Sequence, residues 1–377
     1  MKITKVRTHV LEAALSQPFA YSRAWYDRRT ASLVEIETDT GLTGWGECYG
    51  PARITAAVVE AVGPWLIGED PLATDALWQT IYARLRDHGQ KGVVIQGLSG
   101  IDIALWDIKG KHFGVPAHRL MGGALRTQVR AYATGLYRRR SGDPLKYLAE
   151  EAAGYAGEGF TAVKLKVGFG VEEDAAATRA VRAAIGPKVA LMVDANHAFD
   201  AVAAIRLGRL IEQHDIGWFE EPVPPEDLAG YRAVKAALSI PIAGGECEFT
   251  RYGFREQLVS RAVDIVQPDT CAAGGLTECK KIADMSEAFG VRYNPHVWGT
   301  GIAIAASLQL LAVLPSHTPA SLSPLEPLLE FDRTEHPIRQ AILKEPIEHV
   351  RGTVRVPDGP GLGIEIDRKA LARFAAN

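Results

Sequence analysis

The sequence predicts an α/β fold in which a parallel (β/α) barrel of the TIM type is joined to a smaller α+β capping domain. Six short apolar runs between residues 161 and 298 each end in a polar or charged residue, and these end residues lie 23 to 28 positions apart. One strand, one helix and their two loops need about that length. The chain has 377 residues, whereas such a barrel takes roughly 250, so the surplus predicts a second domain.

The N-terminal part has the pattern of the capping domain, which we expect to span residues 1–126. KITKVRTHVLEA and TASLVEIETDTG alternate with the period of antiparallel strands. Helical patterns follow in residues 54–89 and in Leu98–Pro116, where Gly114 and Pro116 end the second pattern. An antiparallel sheet followed by helices is typical of an α+β domain.

The barrel is expected in residues 127–350, beginning with a strand at Val129–Gly135. Residues 351–377 combine a strand pattern, the turn PDGPGLG and a short helix, and we expect them to return to the capping domain. The weakly polar run Gly299–Pro315 follows a predicted barrel strand, where a helix is due. It is marginal for a membrane span, which needs about 20 residues, so we interpret it as a buried helix.

The segment Gln17–Thr30 contains four aromatic residues and three arginines. It could be a solvated hairpin loop or a lid that closes on substrate. We favour the lid, because a lid must exclude water and hold anions. Tyr21 in this segment is therefore a candidate substrate contact.

The bulk composition excludes several classes of partner. The net charge of −3 gives no electrostatic reason to expect nucleic-acid or membrane binding. No apolar region of a signal peptide follows the N-terminus. The four cysteines match neither a zinc-binding spacing nor a disulfide framework, so we expect a cytoplasmic protein. A homo-oligomer is the usual expectation for such a chain.

Three acidic residues, Asp194, Glu220 and Glu246, end consecutive predicted strands. They could be unrelated surface acids, but carboxylates that meet at one barrel mouth would repel one another. A hard divalent cation such as Mg²⁺ removes this repulsion. Strand alternation sends only one residue of the Glu220–Glu221 pair inward, and the spacing selects Glu220 as the metal ligand.

Basic groups are expected on both sides of this cluster. Lys164 and Lys166 share one face of a strand, either exposed to solvent or inside the barrel, where we expect them to lower each other's proton affinity so that a lysine can act as a base. Asp269 and His296 end adjacent strands, and the carboxylate would fix the tautomer of the imidazole. His296 could instead be a core histidine. Trp298 is a candidate substrate contact.

A metal clamp with a base on each side suits abstraction of the proton next to a carboxylate. The motifs KLK, DAN, FEEP, GGE, QPD and PHVWG, in that order, together with IDIALWDIKGK, resemble the enolase superfamily, mandelate racemase/muconate lactonizing enzyme subgroup. A Lys or His base with Mg²⁺ is a known pattern of that superfamily.

The resemblance implies Mg²⁺ binding by the three carboxylates and acid–base roles for Lys166, supported by Lys164, and for His296 with Asp269. It implies that a glutamate of the last strand contacts the substrate carboxylate, with Glu330 preferred to Glu326. It also implies that Asn196 lies beside the metal ligands, near the substrate.

Within the superfamily, GPAR, RAYATG, GFGVEED, FEEPVPPE, PHVWGTG and EFDRT are similar to the galactarolactone cycloisomerases, whereas Cys247, Glu248 and Phe249 depart from the pattern. The resemblance implies β-elimination that opens a sugar-diacid lactone in carbohydrate acid catabolism, with a small-molecule carboxylate as substrate. The alternatives are an acid-sugar dehydratase and a racemase or epimerase of a 2-hydroxy acid. Outside the enzymes, the alternative is a catalytically silent sugar-acid binding protein.

Overall fold

The computed structural model describes residues 1–318 and 320–376. The strands are β1 (Ile3–Ala20), β2 (Trp25–Thr38), β3 (Thr43–Cys48), β4 (Gln128–Thr134), β5 (Arg138–Arg139), β6 (Ala162–Lys166), β7 (Ala190–Asp194), β8 (Ile216–Glu220), β9 (Ile242–Gly244), β10 (Ile265–Val266), β11 (Arg292–Tyr293), β12 (Leu329–Asp332), β13 (His349–Val350) and β14 (Thr353–Arg355). The helices are α1 (Ala52–Val62), α2 (Thr74–Leu85), α3 (Val93–Phe113), α4 (Ala117–Leu120), α5 (Pro144–Gly157), α6 (Val171–Ile185), α7 (Ala201–Ile211), α8 (Leu228–Ala237), α9 (Thr250–Val259), α10 (Gly275–Ala288), α11 (Gly301–Val313) and α12 (Arg368–Phe374).

Parallel strands form the barrel predicted from the sequence. Their ladders run in the order β12-β4-β6-β7-β8-β9-β10-β11, and α5 to α11 lie one by one between consecutive strands along the chain. Inward and outward positions of β6, β7 and β8 are mostly buried, because the outer face of the sheet is covered by helices and the inner face is closed into the barrel. This arrangement directs the C-terminal ends of the strands to one mouth.

The capping sheet has the strand order β3-β2-β1-β5 and is antiparallel throughout. Helix α3 packs closely on β3, because glycines remove the side chains between them. A Cβ on Gly46 would lie 1.9 Å from the carbonyl oxygen of Gly100. The glycines of the segment around β3 therefore serve strand–helix packing.

The segment Gln17–Thr30 is mostly strand rather than loop, which corrects the sequence interpretation. The β1–β2 ladder continues to the pairs Phe19–Tyr26 and Ala20–Trp25, so only residues 21–24 form the turn. The tip touches the barrel, because Ser22 Oγ donates a hydrogen bond to the Ala195 carbonyl oxygen at 3.0 Å. A paired hairpin therefore extends to the barrel mouth.

The C-terminal segment contacts both parts of the molecule. Strand β14 pairs with the start of β4, and Ala375 bridges to Leu11 of β1. The division of the chain into domains at residues 126 and 350 stays a prediction. The last residue of the expected C-terminal segment, Asn377, lies outside the described residues. In the described part of the chain no helix is both long and apolar enough to cross a membrane, and α11 is buried along its whole length.

Candidate active site

Three carboxylates lie together at the C-terminal ends of adjacent barrel strands. Asp194 ends β7, Glu220 ends β8 and Glu246 follows β9 by two residues. The parallel register pairs Asp194 with Glu220. One oxygen from each carboxylate lies within 4.8 Å of the other two. The structure therefore brings together the three acids that the sequence predicts as metal ligands.

The cluster fits a bound cation on its own geometry. Glu246 Oε2 is buried and makes no hydrogen bond within the described residues, although His296 Nε2 lies 3.3 Å away. A buried carboxylate oxygen without a donor is costly, and adjacent carboxylates repel one another. These acidic residues could hold a divalent metal, whose all-oxygen coordination they match.

Lys164 and Lys166 are buried inside the barrel on β6, on the face that alternation predicts. Lys164 Nζ lies 2.5 Å from Glu220 Oε1 and 2.8 Å from Glu330 Oε1. Lys166 Nζ donates a hydrogen bond to Asp194 Oδ2. Both ammonium groups are therefore held by carboxylates of other barrel strands.

When the protein groups are considered alone, these contacts determine the protonation state of the two lysines. Burial lowers the pKa of a lysine, but the attraction of the carboxylates outweighs it and raises the pKa of both Lys164 and Lys166 well above the usual value. Lys164 does lower the pKa of Lys166, as expected, but the carboxylates outweigh this effect, and the role of Lys166 as a base stays a prediction. A cation bound by Asp194 and Glu220 would weaken the electrostatic attraction between these carboxylates and the lysines.

His296 and Asp269 form the expected pair in the loops after β11 and β10. Asp269 Oδ2 lies 2.7 Å from His296 Nδ1, which assigns the hydrogen to Nδ1. The other ring nitrogen, Nε2, lies 3.3 Å from Glu246 Oε2. Burial lowers the pKa of the imidazole, but the nearby carboxylates of Glu246, Glu330 and Asp269 outweigh it and raise the pKa to about 10. Among the protein groups alone, His296 is a proton donor at neutral pH.

Glu330 of β12 is bound on both oxygens by the chain itself. Thr134 Oγ1 donates to Oε1 at 2.6 Å and the Val297 backbone N–H donates to Oε2 at 3.0 Å. Burial raises the pKa of this carboxyl, but the charges of Lys164 and His296 outweigh it and lower the pKa to about 2. Glu330 therefore holds Lys164 and the His296 loop in place, and its contact with a substrate carboxylate stays a prediction.

The structure does not bring Glu326, the alternative to Glu330, to the cluster. Its Oε2 lies 3.3 Å from Arg130 Nε. Glu326 and Arg130 line a cavity of about 180 Å³ near the N-terminal ends of the barrel strands, together with Ala162 and Trp218. The choice between the two glutamates depended on the strand register, which the sequence does not reveal.

A cleft of about 160 Å³ is lined by Lys166, His296 and Glu330. Four tyrosines complete much of its wall, two from the β1–β2 hairpin and two from later loops: Tyr21, Tyr26, Tyr49 and Tyr137. The hairpin therefore contributes to the same cleft as the acid–base candidates.

Asn196 and Trp298 also line this cleft. Asn196 Oδ1 accepts a hydrogen bond from Lys166 Nζ at 3.0 Å, and its Nδ2 donates to Glu246 Oε1 at 3.4 Å. Trp298 Nε1 is buried without a hydrogen-bond partner in the described part of the chain. The role of Trp298 as a substrate contact stays a prediction.

Several residues at the cleft were missed or misplaced by sequence reasoning. Glu221 was expected to point outward, but its φ of 43° breaks the alternation after β8 and its carboxylate is fully buried. Burial, followed by the charges of Glu246 and Asp194, raises its pKa well above the usual value. His197 and Cys247 line the cleft as well. Their only signal in the sequence is adjacency to the predicted site residues.

Comparison with family models covers most of the chain. Residues 147–370 match the model described as enolase C-terminal domain-like, and residues 3–122 match the mandelate racemase/muconate lactonizing enzyme N-terminal domain. The chain belongs to the enolase superfamily. The resemblance inferred from the ordered motifs is confirmed, and so are the fold class and the assignment as an enzyme.

Relatives of this enolase-superfamily enzyme include isomerases and lyases of sugar acids. The chain is 54% identical to D-galactarolactone cycloisomerase of Agrobacterium fabrum over 374 residues, which cover 99% of each chain. It is 38% identical to arabinonate dehydratase of Saccharolobus solfataricus over 336 residues, which cover 88% of this chain and 87% of the relative.

A solved structure agrees with these relatives. The 3,6-anhydro-D-galactonate cycloisomerase from Zobellia galactanivorans superposes with a TM-score of 0.91 at 41% sequence identity, and the match covers 100% of both chains. Cycloisomerases and dehydratases thus share the architecture of this enolase-superfamily chain.

Proposed function

We propose that this enzyme removes the proton next to a substrate carboxylate and opens a sugar-diacid lactone by β-elimination. The observation that supports this most directly is that Lys166 and His296 line the same cleft, beside three clustered carboxylates. The 54% identity to a galactarolactone cycloisomerase supports a lactone as the substrate. The product would enter the catabolism of carbohydrate acids.

The proposed cofactor is Mg²⁺, held by Asp194, Glu220 and Glu246. These ligands are oxygens only, which suits a hard cation. When bound, the cation supplies positive charge that stabilises the negative charge developing on the substrate carboxylate.

The residues of the chain supply the proton transfers. In the proposed reaction a base, Lys166 or His296, takes the proton from the carbon next to the carboxylate. The electron pair of that C–H bond forms a C=C bond, and the C–O bond to the ring oxygen breaks. The leaving group departs as a carboxylate, so it needs no proton. The enol then becomes a 3-deoxy-2-keto diacid.

Other residues would orient this chemistry. Asn196 contacts both Lys166 and Glu246, and it can fix the direction of the amine. Tyr21 and Trp298 would contact the substrate from the hairpin side and the barrel side of the cleft. Lys164, inaccessible to solvent, would keep Glu220 and Glu330 in place.

A dehydratase is the second candidate, and the 2.7 Å contact between His296 Nδ1 and Asp269 Oδ2 is the observation that favours it. A hydroxide leaving group needs a proton, and a carboxylate beside the imidazole favours its protonated form. The 38% identity to an arabinonate dehydratase also supports this candidate.

Incubation with Mg²⁺ and either galactarolactone or open-chain galactarate separates the two candidates. The proposal expects a 2-keto acid from the lactone and none from the open acid. A keto acid from the open acid alone would instead support the dehydratase. Lys166→Met and His296→Asn should each lower the rate by roughly 10²–10⁴-fold. Lys188→Met, at an exposed position, is the matched control.

The assembly of the protein stays a prediction. We expect a homo-oligomer. We also propose that the capping domain spans residues 1–126, that the barrel spans residues 127–350 and that residues 351–377 return to the capping domain.

A further inference from the structure

A second group of metal-binding side chains lies beside the three-carboxylate cluster. His197, Glu221, Glu246 and Cys247 each offer one ligand atom, and these four atoms all lie within 4.8 Å of one another. His197 and Glu221 come from the loops after β7 and β8, and the other two follow β9. Of the four, only Glu246 also belongs to the site assigned to Mg²⁺.

The contacts within this group leave buried ligand atoms unpaired. His197 Nε2 lies 3.6 Å from Cys247 Sγ, and His197 Nδ1 lies 3.1 Å from Glu221 Oε2. Glu221 is 0% exposed, yet neither of its carboxylate oxygens nor His197 Nδ1 makes a hydrogen bond within the described residues. A buried carboxylate without a donor is costly, and a bound cation would satisfy it.

The donor types select the class of cation. Imidazole nitrogen, thiolate sulfur and carboxylate oxygen together suit Zn²⁺ and chemically similar ions, whereas Mg²⁺ prefers oxygen alone. Zinc bonds of about 2.0–2.3 Å place ligand atoms roughly 3.3–3.8 Å apart, so atoms that lie up to 4.8 Å apart would need to approach by up to roughly 1 Å. Cys247 would bind as the thiolate and release its proton to solvent.

The group also has an entry path. Cys247 is exposed to solvent, and it lines the same cleft as His197. An ion can therefore reach the sulfur and the imidazole without unfolding of the barrel.

We propose that His197, Glu221, Glu246 and Cys247 form a second metal site, specific for thiolate-binding divalent cations such as Zn²⁺ and joined to the three-carboxylate site through Glu246. Sequence reasoning missed this site because strand alternation predicted that Glu221 points outward, whereas its φ of 43° breaks the alternation. The proposal concerns metal binding and does not depend on which sugar acid the enzyme converts.

Cobalt substitution tests the proposal on the full chain. The metal-free, reduced protein is saturated with Mg²⁺ and then titrated with Co²⁺, while its absorption spectrum is recorded. Only the second site contains sulfur, so a thiolate-to-cobalt charge-transfer band that saturates at one equivalent is expected. Wild-type protein that shows no such band would overturn the proposal, and this measurement requires no variant to fold.

Variants assign the ligands. Cys247→Ser should abolish the charge-transfer band, and His197→Gln should lower Zn²⁺ affinity, measured by calorimetry at saturating Mg²⁺, by about tenfold or more. Cys48→Ser removes a buried thiol of the capping sheet and should change neither result. A band that persists in Cys247→Ser, or that disappears in Cys48→Ser, would contradict the assignment.

Discussion

Glu47 of the capping sheet accepts hydrogen bonds from both the backbone N–H and the hydroxyl of Thr300, the N-cap residue of barrel helix α11. The backbone bonds are 2.9 and 3.1 Å long and the hydroxyl bond is 2.5 Å long. Thr300 lies four residues after His296, in the same loop. The capping domain therefore holds the loop of a proposed catalytic residue through one buried carboxyl.

The first prediction concerns the pH dependence of this contact. Burial raises the pKa of Glu47 to about 7 from a usual value of 4.5, although the hydrogen bonds from Thr300 oppose the shift. The folded state thus binds this proton more tightly than the unfolded state. The stability that the proton adds is fully present below about pH 4.5 and is lost as the pH rises through 7.

Glu47→Gln isolates this effect because the amide does not titrate. We compare the free energy of unfolding of the wild type with that of the variant. The difference, wild type minus variant, should rise by roughly 2–3 kcal/mol as the pH is lowered from 8 to 4.5. Urea unfolding at several pH values measures it. A difference that is constant over this range would show that Glu47 titrates normally.

Asp269→Asn should slow turnover while the protein stays folded. The carboxylate fixes the tautomer and the charge of His296, and an amide supplies neither in full. We expect kcat to fall by roughly 10²-fold, with a much smaller change in KM. Steady-state kinetics with the identified substrate measure both constants. Asp284→Asn, at an exposed ion pair with Lys280, is the control, and equal rates for the two variants would refute the assigned role.

Arg29 should be required for the stability of the hairpin that reaches the cleft. It is buried, donates a hydrogen bond to Asp332 Oδ2 at 2.8 Å, and places its guanidinium 4.1 Å from the centre of the Trp298 ring. Arg29→Met would leave the buried Asp332 with Arg339 as its one ionic partner within the described residues.

We expect Arg29→Met to lower the free energy of unfolding by roughly 3 kcal/mol, since it breaks a buried ion pair. Its neighbour Arg28 is exposed and pairs with Glu12 at the surface, so Arg28→Met should cost far less stability than Arg29→Met. Denaturant titration of both variants measures the difference. Similar losses in the two would mean that burial of Arg29 adds no stability.

Gly46→Ala should disrupt the packing of β3 on α3. The added Cβ would lie 1.9 Å from a backbone oxygen, which cannot move aside like a flexible side chain. We expect a loss of roughly 1–3 kcal/mol or more. Gly154→Ala on α5 meets nothing within 4 Å and should stabilise the protein by about 0.5–1 kcal/mol. Thermal unfolding compares the two, and an unchanged Gly46→Ala variant would disprove the packing argument.

The barrel and the residues at the ends of its strands could be predicted from the sequence. Apolar runs of regular spacing place Asp194, Glu220 and Lys166 at one mouth, because the side chains follow the strand period. The first barrel strand was expected from Val129 and begins at Gln128.

The remaining features depend on contacts between distant parts of the chain. Arg29 was interpreted as one of the anion-holding arginines of a lid, but its partner Asp332 is 303 positions away. Glu221 was expected to point outward, and only the backbone turn after β8 shows that it does not. Pairings of this kind depend on tertiary geometry, which periodicity does not encode.

The contact between α12 and β1 has a consequence for biosynthesis. Ala375 bridges to Leu11, and Arg368 makes an ion pair with the buried Glu35 of β2. Arg368 and Glu35 lie 333 positions apart, so this contact can form only after α12 has been synthesised. We therefore expect the barrel strands to form earlier and α12 to join β1 and β2 late, which leaves this face of the capping sheet exposed to chaperones for longest.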